Sequence, residues 1–207
     1  MDLGGLSVLG WCVRAAKAIV GIDEVVVAAS EDASDDAIEA WCQRNNTRCV
    51  RGSLHDVLAR YGLAAKLTHA QVVMRLTADC PLLDPEICGA VVQLLHTKKL
   101  DYASNFHPRV WPDGVDCEVF TRDALEHALA EATLASDREH VTPFLYTHPE
   151  QFHMDGLLCP EEGLEEQRWT LDTKDDFEFL TRLVKHLPKD RPPRYTEVLA
   201  VIRSGLF

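Results

Sequence analysis

The feature that most limits the fold is the repeated exchange of amphipathic stretches for short β-branched runs along all 207 residues. Residues 6–19 carry apolar positions at helical spacing after the Gly4-Gly5 pair. Residues 23–29 form a short run rich in valine, as expected of a strand covered on both faces. The alternation continues with a helix over 35–45, a strand over 47–50 and a helix over 54–66 that Ser53 can cap. A strand over 71–76 then leads into a helix over 84–95. Extended pieces follow from Tyr102 and over 117–120, the second after the turn signal Pro112-Asp113-Gly114. Helices are expected over 121–134 and 136–146, the latter with a capping box between Ser136 and Glu139. Strands over 152–158 and 168–171 and helices from Thr173 and Tyr195 complete the pattern. Such alternation predicts an α/β fold, Rossmann-like, with a mostly parallel sheet and helices on both faces. Ligands then gather outside the carboxyl ends of the strands, so the loops after Leu76 and Leu171 draw interest.

With 46% hydrophobic residues, a chain of this length supports one sizeable core and is read as a single domain. No run of about 18 apolar residues occurs and the start lacks a basic, cleavable leader, so a cytoplasmic protein without a membrane segment is expected. The seven cysteines form no CxxC pair, which fits a reducing compartment. A formal net charge of -12 argues against nucleic acid as a partner, since backbone affinity comes from Lys and Arg. A small phosphorylated ligand held with a divalent cation remains compatible with it.

Two aspartates stand at strand ends. Asp79, in Arg75-Leu-Thr-Ala-Asp79-Cys-Pro81, is either a ligand for Mg²⁺, which takes one or two carboxylates and fills its shell with substrate oxygens, or a cap for the next helix. Asp172, in Arg168-Trp-Thr-Leu-Asp172, has the same two readings, with Thr173 as an alternative cap. Arg75, Arg138 and Arg168 can grip phosphate or carboxylate in bidentate fashion or pair with neighbouring acids. His140 can serve as a base or merely orient its neighbours. Cys80 and Cys117 are read as packing groups.

Several runs, in register, resemble the cytidylyltransferase family that includes the spore-coat polysaccharide protein of SpsF type. More distantly, they are similar to the synthetases of CMP-activated sialic acid and 3-deoxy-octulosonate. They are Arg51-Gly-Ser-Leu-His-Asp-Val-Leu-Ala-Arg-Tyr61, residues 75–85, Ser104-Asn105 with residues 112–120, residues 138–143 and residues 169–173. The resemblance implies a glycosyltransferase-A-like domain in which CTP and a sugar or sugar acid give a CMP-sugar and pyrophosphate, for polysaccharide biosynthesis. It implies a Mg²⁺ site at Asp79 and Asp172 with Arg75 in the catalytic set. A nucleotide site follows at Arg51, Gly52, Ser53, Asp56, Arg60 and Thr77. Sugar contacts follow at Asn105, Asp113, Asp116, Glu118, Arg138, Glu139, His140 and Arg168, and a homodimer is implied as well. Family members open with a strand and a basic, glycine-containing loop that clasps the triphosphate. The present sequence resembles the segment downstream of it, so that strand is expected to be missing, whether by truncation, by natural shortening or because another chain fills its place, and without the loop poor CTP binding and slow or absent turnover are expected. A binding module without catalysis and a sugar transferase of similar fold are the rival readings.

Overall fold

The computed structural model describes residues 1–206. A small hairpin of β1 (Asp2–Leu3) and β2 (Leu6–Ser7) precedes α1 (Val8–Lys17), whose first turn is capped by Ser7 Oγ accepting from the Gly10 N–H. Strand β3 (Val26–Ser30), helix α2 (Asp36–Arg44) and strand β4 (Arg48–Gly52) then make a βαβ unit, β3 and β4 pairing in parallel from Val26 opposite Arg48 to Ser30 opposite Gly52. Helix α3 (Val57–Thr68) leads to β5 (Val72–Arg75), and α4 (Pro85–Lys98) to β6 (Tyr102–Ser104). Strand β7 (Glu118–Thr121) is followed by α5 (Arg122–Glu131), α6 (Ala135–His140), α7 (Pro143–Thr147) and β8 (Met154–Gly156). Helices α8 (Lys174–Leu183) and α9 (Tyr195–Ser204) finish the described chain.

The second sheet has the order β5-β7-β6-β8. The α/β reading with helices on both faces holds, but the sheet is mixed. Parallel pairing is found for β3 with β4 and β6 with β8, while β7 runs antiparallel to both neighbours. The reason is the connection between β6 and β7, which turns back through Pro112-Asp113-Gly114 as a long hairpin and needs no crossover helix. Alternation along the strands divides the core. Ala103 and Val119 pack with α1 and α4, whereas Tyr102 and Phe120 pack with Leu58, Leu125 and Ala128 of α3 and α5.

Strands β3 and β5 are not hydrogen-bonded to each other among the described residues, although α3 packs over both β3 and α5. Since the Glu31 N–H donates to Gly52, Ala28 faces the other edge of β3, where its carbonyl accepts from the Arg60 guanidinium at 3.1 Å. A side chain here does the work of a neighbouring strand.

Three local expectations are corrected. Helix α3 is capped by Asp56, whose carboxylate accepts from the Ala59 N–H, because Ser53 is already turned to the Asp56 N–H at 3.1 Å. The single helix expected over 136–146 is two short ones, broken at Val141 with φ 74°, and no side chain caps α6. The strand expected over 168–171 is reduced to one parallel bridge between Asp113 and Arg168.

Candidate active site

The C-terminal end of β5 is where the chemistry collects. Arg75 lies opposite Glu118 in the antiparallel register, and its guanidinium donates to Glu118 Oε2 at 2.6 Å. Tyr102 Oη donates to Glu118 Oε1, also at 2.6 Å. Both oxygens of this 3% exposed residue are therefore engaged, which burial demands of a carboxylate. Burial, then the adjacent Glu118 charge, drives the Tyr102 phenol well above its ordinary value, so it remains a donor.

One step along each strand, on the same face, stand Thr77 and Asp116. Together with Arg75, Glu118, Phe106, His140, Thr142 and Tyr146 they line a cavity of about 290 Å³. Its far wall is made by the break between α6 and α7. There the Thr142 N–H donates to the His140 carbonyl at 2.9 Å around Val141, a γ-turn of the rarer, strained form. A buried β-branched residue at positive φ is held only by its surroundings, here the core around α5 and α7. The turn presents His140 and Thr142, the residues on either side of it, to the cavity.

The loops that carry the two strand-end aspartates are joined through the backbone. The Leu171 N–H donates to the Asp79 carbonyl at 2.9 Å, which sets Asp172 beside the loop that leaves β5. Asp79 accepts only a weak bond from Cys80 Sγ at 3.4 Å. Asp172 Oδ2 accepts from Arg168 and from Thr170 Oγ1, leaving Oδ1 open. No group of three or more His, Cys, Asp or Glu poised for a metal is found among the described residues. A divalent cation that completes its shell with phosphate oxygens and water needs only one or two carboxylates, and Asp79 and Asp172 are the residues that would hold it. Helix capping, the bland alternative, is taken by others: Asp84 caps α4, while Thr173 and Asp176 form a reciprocal capping box on α8.

Arg168 is shared among Asp113 at 3.7 Å, Asp172 and Asp176. Asp176 is held well below the carboxylate range, first by its bond from Arg168 and then by the N–H groups of Asp172 and Thr173. Arg109 joins this group to the cavity, pairing with Asp113 at 3.7 Å and with Asp116 at 3.1 Å. Burial pushes Asp116 up to about 6 against the pull of Arg109, with Asp113 and Glu118 adding to the rise.

The other residues implied by resemblance separate into three places. Asn105 is a buried loop clamp, its amide donating to the Val115 carbonyl and accepting from the Cys117 N–H, both at 2.8 Å, so each of its polar atoms already holds a backbone partner. Arg51 spends its guanidinium on the Ser30 and Asp32 carbonyls and on Asp36 and Glu39. Gly52 abuts Arg60, whose Cγ would lie 2.9 Å from an added Cβ. Asp56 and Arg138 pair at 2.5 Å. Burial would raise Asp56, but the hydrogen bonds from Arg138 and the Ala59 N–H win and hold it low. That pair, with Leu54, His55, Ala135 and Glu139, lines a second cavity of about 440 Å³ next to exposed Ser53. Sequence reasoning missed Phe106, Arg109, Thr142 and Tyr146. Phe106 stacks beneath Arg109 at 4.5 Å and neighbours His107 and Tyr146, contacts between loops that no spacing rule encodes.

A Rossmann-like α/β fold with aspartates on two strand-end loops joined by a backbone hydrogen bond, and with a polar cavity at the end of β5, fits the nucleotidyltransferase class. Residues 1–202 match the profile of the family described as Cytidylyltransferase, and the chain belongs to that family. It is 35% identical over 190 residues to an uncharacterised protein of Methanocaldococcus jannaschii, covering 90% of this chain and 76% of that one. It is 32% identical over 163 residues to the spore coat polysaccharide biosynthesis protein SpsF of Bacillus subtilis, covering 78% and 67%. Among solved structures, a cytidylyltransferase from Leptospira borgpetersenii superposes with a TM-score of 0.93 at 28% identity, over 99% of this chain and 86% of that one. A CMP:2-keto-3-deoxy-manno-octonic acid synthetase complexed with CTP shares the fold, with a TM-score of 0.68 at 14% identity over 89% and 90%.

Proposed function

We propose that this chain transfers the cytidylyl group of CTP to a hydroxyl of a sugar or sugar acid, releasing pyrophosphate, with Mg²⁺ held by Asp79 and Asp172. The observation that carries the reading is the hydrogen bond from Leu171 to Asp79, which joins the two aspartate loops next to β5, the strand whose end lines the Arg75–Glu118 cavity. Magnesium, when bound there, supplies positive charge to the α-phosphate and to departing pyrophosphate. The protein's own part is positioning. Arg168 and Thr170 fix Asp172, Arg109 ties Asp113 to Asp116, and the buried Arg75–Glu118–Tyr102 set gives the acceptor cavity a rigid floor. The CTP complex of the octonic acid synthetase, which has the same fold, supports CTP as the donor. Likeness to the spore coat protein supports an acceptor bound for polysaccharide. On this reading the open edges of β3 and β5 receive a further strand, whose loop carries basic groups to the triphosphate.

Pyrophosphate release from CTP and Mg²⁺ over a panel of sugars and sugar acids, measured on the chain extended upstream to include the strand and its basic loop, tests the proposal. Release with at least one acceptor is expected, and Asp79→Asn should lower it on the order of 10²-fold or more. Silence with every acceptor, or an unimpaired Asp79→Asn variant, would overturn it.

A further inference from the structure

We propose that Asp116 is the base that takes the proton from the acceptor's attacking hydroxyl. The inference rests on the cytidylyltransferase reading and adds a residue role to it. In the step, the acceptor O–H breaks and its proton passes to an Asp116 carboxylate oxygen. The acceptor oxygen bonds to the α-phosphorus of CTP, and the bond from that phosphorus to pyrophosphate breaks, the leaving group keeping the electron pair.

Geometry selects this residue. The β5–β7 register places Arg75 beside Glu118, and the same face continues to Thr77 and Asp116, so Asp116 lines the cavity on the side of the loop that carries Asp79. The other acidic group in the lining cannot serve. Glu118 is engaged at both oxygens and almost wholly buried. Tyr146 is pushed above its ordinary value, by burial first and Glu118 second, and so keeps its proton. Asp116 receives one bond from Arg109 on each oxygen, at 3.3 and 3.1 Å, which leaves a lone pair on each.

The electrostatic setting agrees. Around Asp116 stand Arg109 and Asp113 from its own loop, Glu118 on β7, Arg75 on β5, Cys80 in the loop after β5, and His140 and Tyr146 across the cavity. Their balance with burial brings its pKa up to about 6, where a carboxylate is still ionised at neutral pH yet basic enough to share a proton. Glutamate or aspartate at its ordinary value would be a poorer base.

The test is the pH profile of pyrophosphate release over pH ~5 to 9. Asp116→Asn should lower kcat by about 10²- to 10⁴-fold with KM little changed, and should abolish the acid limb. Arg109→Gln removes the charge that lowers the Asp116 pKa. Because the base must be ionised, the acid limb should move to higher pH, a shift that a purely structural role would not produce. His140→Ala should keep the limb. If the wild type is active while a folded Asp116→Asn keeps its kcat or its acid limb, or if Arg109→Gln leaves the limb in place, the proposal is overturned and the transferase reading stands. A wild type silent with every acceptor overturns both. Circular dichroism melts establish that each variant is folded.

Discussion

Glu118 shows how much one residue can commit. It is an ion in the core, and the two bonds from Arg75 and Tyr102 compensate for the hydration it has lost. Removing Arg75 leaves that charge without its counter-ion, so Arg75→Met should cost about 3–5 kcal/mol, the loss found when a buried pair is broken from one side. Glu118→Gln in the same background should recover part of it, because a neutral amide needs no counter-charge. Urea unfolding of the single and double variants checks both statements; equal losses in the two would mean that Arg75 matters through packing alone. Of this network the sequence disclosed Arg75 and Glu118, but neither Tyr102's part in it nor the bonds. By resemblance Arg75 and Glu118 read as ligand-binding groups, and the structure spends much of their charge on each other. Asn105 misled for the same reason, since an amide that reads as a sugar contact is equally suited to clamp two loop backbones. A spacing gives donors and acceptors but cannot say which of them meet.

At the scale of elements, legibility followed hydrophobic period and cap chemistry. Helices α1, α2, α4, α5, α8 and α9 fall within a few residues of their expected places, since each sets an apolar stripe against the core. Failures came where a tertiary contact outbid a local rule. Ser136 and Glu139 match a capping box in sequence, yet α6 begins at Ala135 without a side-chain cap, and the chain turns sharply at Val141 to bring Thr142 to the cavity. The start of α9 shows the opposite case, a cap that sequence pattern did not name. The Arg194 N–H donates to Glu197 at 2.8 Å and Arg191 donates to both oxygens of the same carboxylate. Arg191 chiefly, then the Arg194 N–H, lowers Glu197 from 4.5 to about 2. A carboxyl with a depressed folded pKa stabilises above its unfolded pKa and loses that contribution as pH falls through the folded one. Glu197→Gln should therefore destabilise by about 1 kcal/mol at neutral pH. The gap to wild type should close as pH drops from 4.5 toward about 2, a trend that denaturant titrations at stepped pH would reveal. A gap that stays constant would assign the effect to packing.

For the whole molecule, the division of the sheet governs stability and access to the site. The strands β5, β7, β6 and β8 are sealed between α4 on one face and α5 on the other, with Tyr102, Ala103, Val119 and Phe120 wholly buried. The β3–β4 pair has only one ladder, and half the backbone groups of β3 face away from it. The Arg60 guanidinium covers the Ala28 carbonyl, but its Nε is buried without a partner among the described residues, an expense that a strand-to-strand ladder would avoid. Stability is distributed unevenly in such a structure, and units with fewer buried apolar contacts open first. Amides over Val26–Ser30 and Arg48–Gly52 should therefore exchange through a sub-global opening, at least roughly tenfold faster than those over Tyr102–Ser104 and Glu118–Thr121. Native-state hydrogen exchange at low denaturant measures this directly, and a single common opening free energy for both sets would show that α3 couples the two sheets into one unit. The same experiment with CTP and Mg²⁺ present carries the functional consequence. If the nucleotide bridges Arg60 and Ser53 on the β3–β4 side to Asp79 on the β5 side, its binding should slow exchange in the weaker pair more than in the central strands, because ligand energy is gained only when both units are closed.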